Sequence, residues 1–224
     1  MSVIVFGDSI TNRANDDEGG GWTSRLWSKI YQEFNTEYAP GVICSSHSVI
    51  ELGIGGDDIV GVSKRFEREL FTRVDFTDPQ EAKDAVVGIA VGVNDSRIVE
   101  DTGRNFVEIE MYQSVYELVV DRLKEIGVNV FLVGLNPADE TKVRPCQWID
   151  EPTSYVNKEI EKYNEVISSI ADGRDVLFAD VLPVFKNEIA TNGPDSLLSD
   201  GIHPNAKGHE LIALEVFNTI KNIL

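Results

Sequence analysis

Five short apolar runs in the sequence alternate with stretches in which apolar residues recur every three or four positions. The runs are rich in β-branched residues and predict strands that are buried on both faces. The intervening stretches have the spacing of amphipathic helices. The pattern therefore predicts an α/β protein, with a parallel sheet between two layers of helices. The strands fall at residues 2–6, within 42–52, and at 85–91, 128–135 and 176–181, and the helices at 22–34, 57–71, 107–126, 155–171 and 205–224.

The length and charge of the chain limit what it can bind. Its 224 residues suit one domain over residues 1–224. The net charge of −18 disfavours nucleic acid and anionic membranes as partners. No apolar run approaches the ~18 residues that a membrane span needs, and the N-terminus lacks the basic region of a secretory signal. We therefore expect a cytoplasmic protein without membrane insertion, and the sequence leaves its oligomeric state open.

Polar clusters follow the predicted strands. Gly7-Asp8-Ser9-Ile10 comes directly after the first strand, residues 53–56 form a glycine-rich turn after the second, and residues 92–95 follow the third. A fourth cluster, residues 200–204, precedes the last helix. Because ligand sites of parallel sheets lie beyond the carboxyl ends of the strands, we expect the four clusters to meet at one edge.

The side chains in these clusters are those that acyl transfer needs. A serine hydroxyl such as that of Ser9 is a weak nucleophile until a base removes its proton, and His203 can be that base. Asp200 lies three residues away and can orient the imidazole. The backbone amides of Ser9 and Gly56 and the side-chain amide of Asn94 can donate to the oxyanion of a tetrahedral intermediate.

Together the four clusters, in this order, resemble the conserved blocks of the GDSL, or SGNH, hydrolases over residues 5–204. The resemblance implies the SGNH hydrolase fold, a flavodoxin-like three-layer α/β/α sandwich with a five-stranded parallel sheet of order 2-1-3-4-5. It also implies ester or thioester hydrolysis without a metal or organic cofactor. By position, Ser9 is the nucleophile and an oxyanion donor, His203 the base, Asp200 its partner, and Gly56 and Asn94 the remaining oxyanion donors.

Two positions depart from the family pattern. Ile10 stands where the family name has leucine, which is a common variation. Glu51 stands where the second block often has an asparagine, in an Asn-x-Gly-x-x-Gly pattern. If that asparagine braces the glycine turn, Glu51 has to do so differently, and the departure bears on the geometry of Gly56.

Several polar residues also have structural interpretations. Ser9 alone is typical of a helix N-cap, and only its pairing with His203 favours catalysis. Asp8 is expected to brace the nucleophile turn, and Asp95 could cap a helix. His47, in the second strand, and His209, in the last helix, are expected to be structural.

The longest irregular stretch, residues 136–153, has the length of a lid or binding loop. It contains Trp148, which we take as a further candidate for substrate binding. Trp22, at the start of the first predicted helix, is expected to pack in the core instead.

Other functions fit the sequence less well. A dinucleotide site lacks its third glycine, because Asp58 stands there, and no phosphate-binding Gly-Lys-Ser/Thr loop occurs. His203 and Asp200 are too few for a metal site. A non-catalytic binding protein on this fold is expected to have lost Ser9 or His203, and both residues are present. The remaining alternatives, an acyl-thioesterase, a lysophospholipase and an acyltransferase, use the same triad, and the sequence does not separate an acyltransferase from a hydrolase. Short-acyl esters, sugar acetyl esters among them, are the favoured small-molecule substrates.

Overall fold

The parallel sheet predicted from the apolar runs is present. A computed structural model describes residues 1–39, 42–44 and 47–224, apart from the side chains of 36–39, 42–44 and 79. Within these residues, the central sheet has five parallel strands in the order β5-β4-β3-β1-β2, which is the 2-1-3-4-5 order expected from the family resemblance. The strands are β1 Ser2–Gly7, β2 Ser48–Gly53, β3 Ala85–Ala90, β4 Asn129–Val133 and β5 Leu177–Ala179.

Helices cover both faces of the sheet, so the three-layer α/β/α sandwich is confirmed. The long helices are α1 Gly21–Phe34, α2 Ile59–Phe71, α3 Ile109–Ile126, α4 Asn157–Arg174, α5 Leu182–Asn192 and α6 Ala206–Ile220. α1 and α6 pack against each other on one face, and α2, α3 and α4 form the layer on the other. None of the described helices combines the length and apolar character that crossing a membrane requires.

The helices begin and end at local capping residues, not at the ends of the apolar patterns in the sequence. α2 begins after Asp58, whose side chain accepts the Gly61 amide at 2.7 Å. α6 begins after Asn205, which accepts the Gly208 amide at 3.0 Å. Gly127 ends α3 in the left-handed region, with a φ of 91°. These caps place the helix starts one or two residues later than the sequence pattern predicts.

Several elements were not predicted from the sequence. The part of the second predicted strand before residue 48 is separate, because Val42–Cys44 pairs antiparallel with Thr36–Ala39. Helix α5 lies in a region for which the pattern predicts no helix. The remaining short elements are the helices Pro79–Asp84, Val93–Ser96 and Glu140–Val143, the 3-10 helices Pro194–Ser196 and Lys221–Ile223, and an antiparallel group of Arg104–Asn105, Ile98–Val99 and Thr153–Ser154.

The register of the central strands fixes where the polar clusters begin. Gly7 at the end of β1 lies opposite Gly53 of β2 and Ala90 of β3. The core beneath is closed, since residues 3–6 of β1 are fully buried. Three chain segments therefore leave the sheet at one level, and the side chains that follow them share one edge.

Candidate active site

The turn after β1 presents Ser9. Asp8 is buried and its Oδ1 accepts the Ile10 amide at 2.8 Å, which is the bracing contact expected from the sequence. Two further bonds close the turn: the Asn12 amide donates to the Asp8 carbonyl at 3.0 Å and the Ala14 amide to the Ser9 carbonyl at 2.9 Å. Ser9 thus lies on a fixed turn at the end of a buried strand, and it does not cap a helix.

Ser9, His203 and Asp200 form a continuous hydrogen-bonded chain. Ser9 Oγ lies 2.9 Å from His203 Nε2, and His203 Nδ1 lies 2.6 Å from Asp200 Oδ2. The side chains of His203 and Asp200 are 18% and 27% exposed, so the chain is reachable from solvent but partly shielded. A serine, an imidazole and a carboxylate at these distances can pass a proton from the hydroxyl to the ring while the carboxylate holds the ring.

The long loop after β4 supports the Asp200–His203 turn. Asn136 Nδ2 donates to the Ile202 carbonyl at 2.9 Å, and the Asp139 amide donates to the Gly201 carbonyl at 2.7 Å. Gly201 has a φ of 102°, and a Cβ there would lie 2.8 Å from the Cβ of Lys142. The first part of residues 136–153 is therefore packed against the Asp200–His203 turn.

The two turns that could hold an oxyanion are joined through Asn94. Asn94 Nδ2 donates to the Asp57 carbonyl at 3.0 Å, and Asn94 Oδ1 accepts the Tyr155 hydroxyl at 3.2 Å. One N–H of the amide is left for another acceptor. The Ser9 and Gly56 amides donate to no other group in the described part of the chain. Gly56 is exposed with a φ of 79°, a conformation that favours glycine.

Glu51 does not brace the glycine turn. Its carboxylate pairs with Arg13, with Oε2 3.3 Å from Nε. The turn is instead closed by the Ile54 amide, which donates to the Gly7 carbonyl at 3.0 Å, and by the Asp57 amide, which donates to the Ile54 carbonyl at 3.0 Å. These backbone bonds, with Asn94, hold the segment that carries Gly56 next to the nucleophile turn.

The comparisons with known proteins place the chain in a family. Residues 5–211 match the model of the GDSL-like lipase/acylhydrolase family. The chain belongs to this family. It is accordingly a carboxylic ester hydrolase.

Individual relatives are distant in sequence but similar over nearly their whole length. An acetylxylan esterase of Geobacillus stearothermophilus is 22% identical over 94% of this chain and 90% of its own. The crystal structure of Axe2, an acetylxylan esterase from the same organism, superposes with a TM-score of 0.70 at 19% identity, covering 97% of this chain and 92% of its own. An α/β hydrolase enzyme from the metagenome of Lake Arreo superposes with a TM-score of 0.71 at 20% identity, covering 100% and 96%. These structures share the fold.

The carboxyl groups near the GDSL-type site have opposite environments. Partial burial opposes ionisation of Asp200, but hydrogen bonds from the His203 ring and from the His203 and Ile202 amides outweigh it and lower its pKa to about 2. Burial raises the pKa of Asp8 to about 6. Burial also raises the pKa of Asp95 well above its ordinary range, and its Oδ1 accepts the Ile59 amide at 3.0 Å. Asp95 therefore contacts the start of α2, and Asp200 is the carboxylate that stays ionised.

The other residues named from the sequence lie as follows. Trp22 is 1% exposed and packs in the core, as predicted. His47 precedes β2 rather than lying in it, and its ring contacts that of Phe34. His209 is fully buried on α6. Trp148 is 48% exposed, and no hydrogen bond or ring contact joins it to Ser9, Asp200 or His203 in the described part of the chain.

Two residues that contact the site were not found from the sequence. Tyr155 fixes the orientation of Asn94, and Asn15 donates to Asp200 Oδ2 at 2.5 Å. Tyr155 was assigned to the start of a predicted helix, and Asn15 lies in a turn without an apolar pattern. Neither contact has a local sequence signal, because the partners are 61 and 185 residues apart.

Within the described residues, no group of three or more His, Cys, Asp or Glu side chains is placed to hold a metal ion. Wide surface grooves do occur far from Ser9. One of them, about 640 Å³, is lined by residues 71–77 and Glu81, near the opposite end of the sheet.

Proposed function

We propose that this chain hydrolyses short-acyl carboxylic esters, sugar acetyl esters among them, through an acyl-enzyme intermediate on Ser9. The observation that carries the proposal is the chain of contacts from Ser9 Oγ through His203 to Asp200, at 2.9 and 2.6 Å. His203 is the general base and acid in this proposal, and Asp200 holds its ring. Ser9, Gly56 and Asn94 donate to the oxyanion.

In the acylation step, His203 Nε2 takes the Ser9 hydroxyl proton while Oγ attacks the ester carbonyl carbon. The carbonyl oxygen gains negative charge and accepts hydrogen bonds from the Ser9 and Gly56 amides and from the free N–H of Asn94. The ester C–O bond then breaks, and the imidazolium returns its proton to the departing alcohol. The products are the free alcohol and an acyl group on Ser9.

In the deacylation step, a water molecule takes the place of the alcohol. His203 removes a proton from that water, whose oxygen attacks the acyl carbonyl carbon through the same oxyanion site. The bond to Ser9 Oγ breaks and Oγ recovers the proton from His203, which releases the carboxylic acid. An acceptor alcohol in place of water would give acyl transfer, which is the alternative outcome of the same chemistry.

Two observations support a short acyl group. The interior beneath the nucleophile turn is nearly filled: residues including Asp8, Thr11 and Trp22 leave a cavity of about 20 Å³, room for about one water molecule. An acyl chain cannot extend into the core at this point. A relative that matches over 94% of this chain and 90% of its own length is named an acetylxylan esterase.

The test is hydrolysis of p-nitrophenyl esters from acetyl to decanoyl and of acetylated xylo-oligosaccharides. We expect acetyl substrates to be preferred, and Ser9→Ala to lower kcat by about 10⁴-fold or more. Ser28→Ala, which removes an exposed hydroxyl on α1, is the matched control. Activity that survives Ser9→Ala would overturn the mechanism, a preference for long chains would overturn the short-acyl assignment, and dominant ester formation with added alcohol would indicate a transferase.

A further inference from the structure

The Asp200 carboxylate has a hydrogen-bond donor at every position it can use. Oδ1 accepts the Ile202 amide at 3.0 Å and the His203 amide at 2.9 Å. Oδ2 accepts His203 Nδ1 at 2.6 Å and Asn15 Nδ2 at 2.5 Å. A carboxylate offers about four lone-pair sites, so these four donors saturate it. Among the residues that the structure describes, Asn15 is the one donor that comes from outside the Asp200–His203 turn.

The backbone around Asn15 is held firmly although its side chain is exposed. Asn15 has a φ of 61°, a left-handed conformation that asparagine tolerates. On one side, the Ala14 amide donates to the Ser9 carbonyl at 2.9 Å. On the other side, the buried Asp16 carboxylate pairs with Arg25 and accepts the Gly21 amide at 2.8 Å. The amide of Asn15 is therefore presented to Asp200 from a fixed base.

The nucleophile turn thus contacts the Asp200–His203 turn at both ends of the triad: Ser9 reaches His203 Nε2, and Asn15 reaches Asp200 Oδ2. We propose that Asn15 is a positioning residue, which orients the Asp200 carboxylate toward His203 and shares its negative charge. The proposal rests on the proposed function for the roles of Ser9, His203 and Asp200. It adds to that function a residue outside the triad that sets the strength of the general base.

The direction of the effect follows from the charge on Oδ2. A donor on Oδ2 draws part of the carboxylate charge away from His203, so its removal favours the protonated imidazole over the neutral ring. The general base acts in its neutral form, and its loss to protonation lowers the rate at acidic pH. A carboxylate at position 15 has a larger effect, because it removes the donor and adds a negative charge beside Asp200. The acidic limb of the pH–rate profile is expected to move to higher pH in both cases.

Other titratable groups act on the same pair and stay unchanged in the test. Asp8 on the nucleophile turn and His209 on α6 interact electrostatically with His203. Lys142 and Cys146, from the loop after β4, interact with Asp200. None of these is altered by a change at position 15, so the comparison isolates the Asn15 amide.

Two variants suit the left-handed backbone of Asn15. Asn15→Gly removes the side chain and adopts a positive φ without strain. Asn15→Asp keeps the size of the side chain, and aspartate is among the few residues that tolerate this conformation. Asn12→Asp, an exposed position on the same turn, carries the same change of charge without the contact to Asp200 and is the matched control. Equal thermal unfolding midpoints of the variants and the parent show that folding is retained.

The experiment measures kcat/KM against pH with p-nitrophenyl acetate, and in parallel the titration of the histidine ring signals by NMR. We expect Asn15→Gly to lower kcat/KM by about tenfold. We expect Asn15→Asp to move the acidic limb and the His203 titration upward by about one pH unit, and Asn12→Asp to move them less.

Profiles of Asn15→Asp that coincide with the parent, or that match those of Asn12→Asp, would overturn the role of Asn15. If the activity of the parent does not depend on Ser9, the proposed function fails instead. The NMR titration still decides in that case whether Asn15 acts on His203, since it needs no turnover.

Discussion

Asp8→Asn should stabilise the protein at neutral pH and leave it unchanged in acid. Asp8 is 2% exposed, and burial raises its pKa from 3.8 to about 6. The folded chain therefore holds a proton that the unfolded chain has lost between these values, and the free energy of unfolding falls as the pH rises through the window. A rise of this size corresponds to about 3 kcal/mol once the carboxyl is fully ionised. Asparagine keeps the acceptor for the Ile10 amide and carries no charge at any pH.

The measurement is urea unfolding of the parent and of Asp8→Asn from pH 4 to pH 8. Urea is preferred because guanidinium chloride is a salt and screens charges. The difference in unfolding free energy should grow with pH and level off above about pH 7. Asp101→Asn, which removes an exposed carboxylate on a surface turn, controls for the general effect of a less negative chain. A difference that stays flat across the range would refute a raised pKa for the buried Asp8.

Three further substitutions test the site. Asp200→Asn should lower kcat by about 10⁴-fold with p-nitrophenyl acetate, because the amide cannot both keep its contacts and accept the His203 ring proton, and a normal rate would contradict this. Asn94→Ala should lower kcat by about 10²- to 10³-fold with KM little changed, as expected for an oxyanion donor, whereas a change in KM alone would indicate ground-state binding. Gly53→Ala should lower the unfolding free energy by about 2 kcal/mol or more in urea titration, since its Cβ would lie 2.4 Å from the Asn12 amide nitrogen and 2.7 Å from the Asp8 carbonyl oxygen, and both are backbone atoms. Unchanged stability would show that the two turns can separate.

The central fold could be predicted because its signals are local and repeated. Strands such as β1 and β3 are continuous apolar runs, and burial on both faces follows from that alone. α5 was missed because its amphipathic stripe is short: only Leu182 and Phe185 are buried along its eleven residues. The pairing of Thr36–Ala39 with Val42–Cys44 was missed because both strands are short and Val42–Cys44 lies in the same predicted stretch as β2. The extent of the single domain stays a prediction from length.

That the candidate site residues lie together could be predicted, because the topology brings them to one edge of the sheet; their catalytic roles stay a prediction. Ser9 follows the end of β1, and the order of the sheet puts β2 and β3 on either side of it. The contacts that tune these positions could not be predicted in the same way. Asn15 contacts Asp200 only through an exposed side chain on a backbone in the left-handed conformation. Glu51 pairs with Arg13 and does not brace the glycine turn. Such contacts depend on side-chain directions that no periodicity fixes. The role of Trp148 stays a prediction.

The acidity of the chain raises the question of how one carboxylate acts on His203 without interference from its neighbours. Asp8 and Asp95 both lie at the same edge of the sheet, and burial raises the pKa of each. Asp200 lies in the opposite situation, because donors saturate both of its oxygens and lower its pKa to about 2. Burial therefore disfavours the ionised forms of Asp8 and Asp95, whereas Asp200, the one of the three in contact with the imidazole, is held ionised by its donors. Above about pH 6 the charge of Asp8 appears beneath the turn that carries Ser9, where it interacts electrostatically with His203. The environments of the three groups, rather than the net charge of the chain, thus decide the electrostatics of the site.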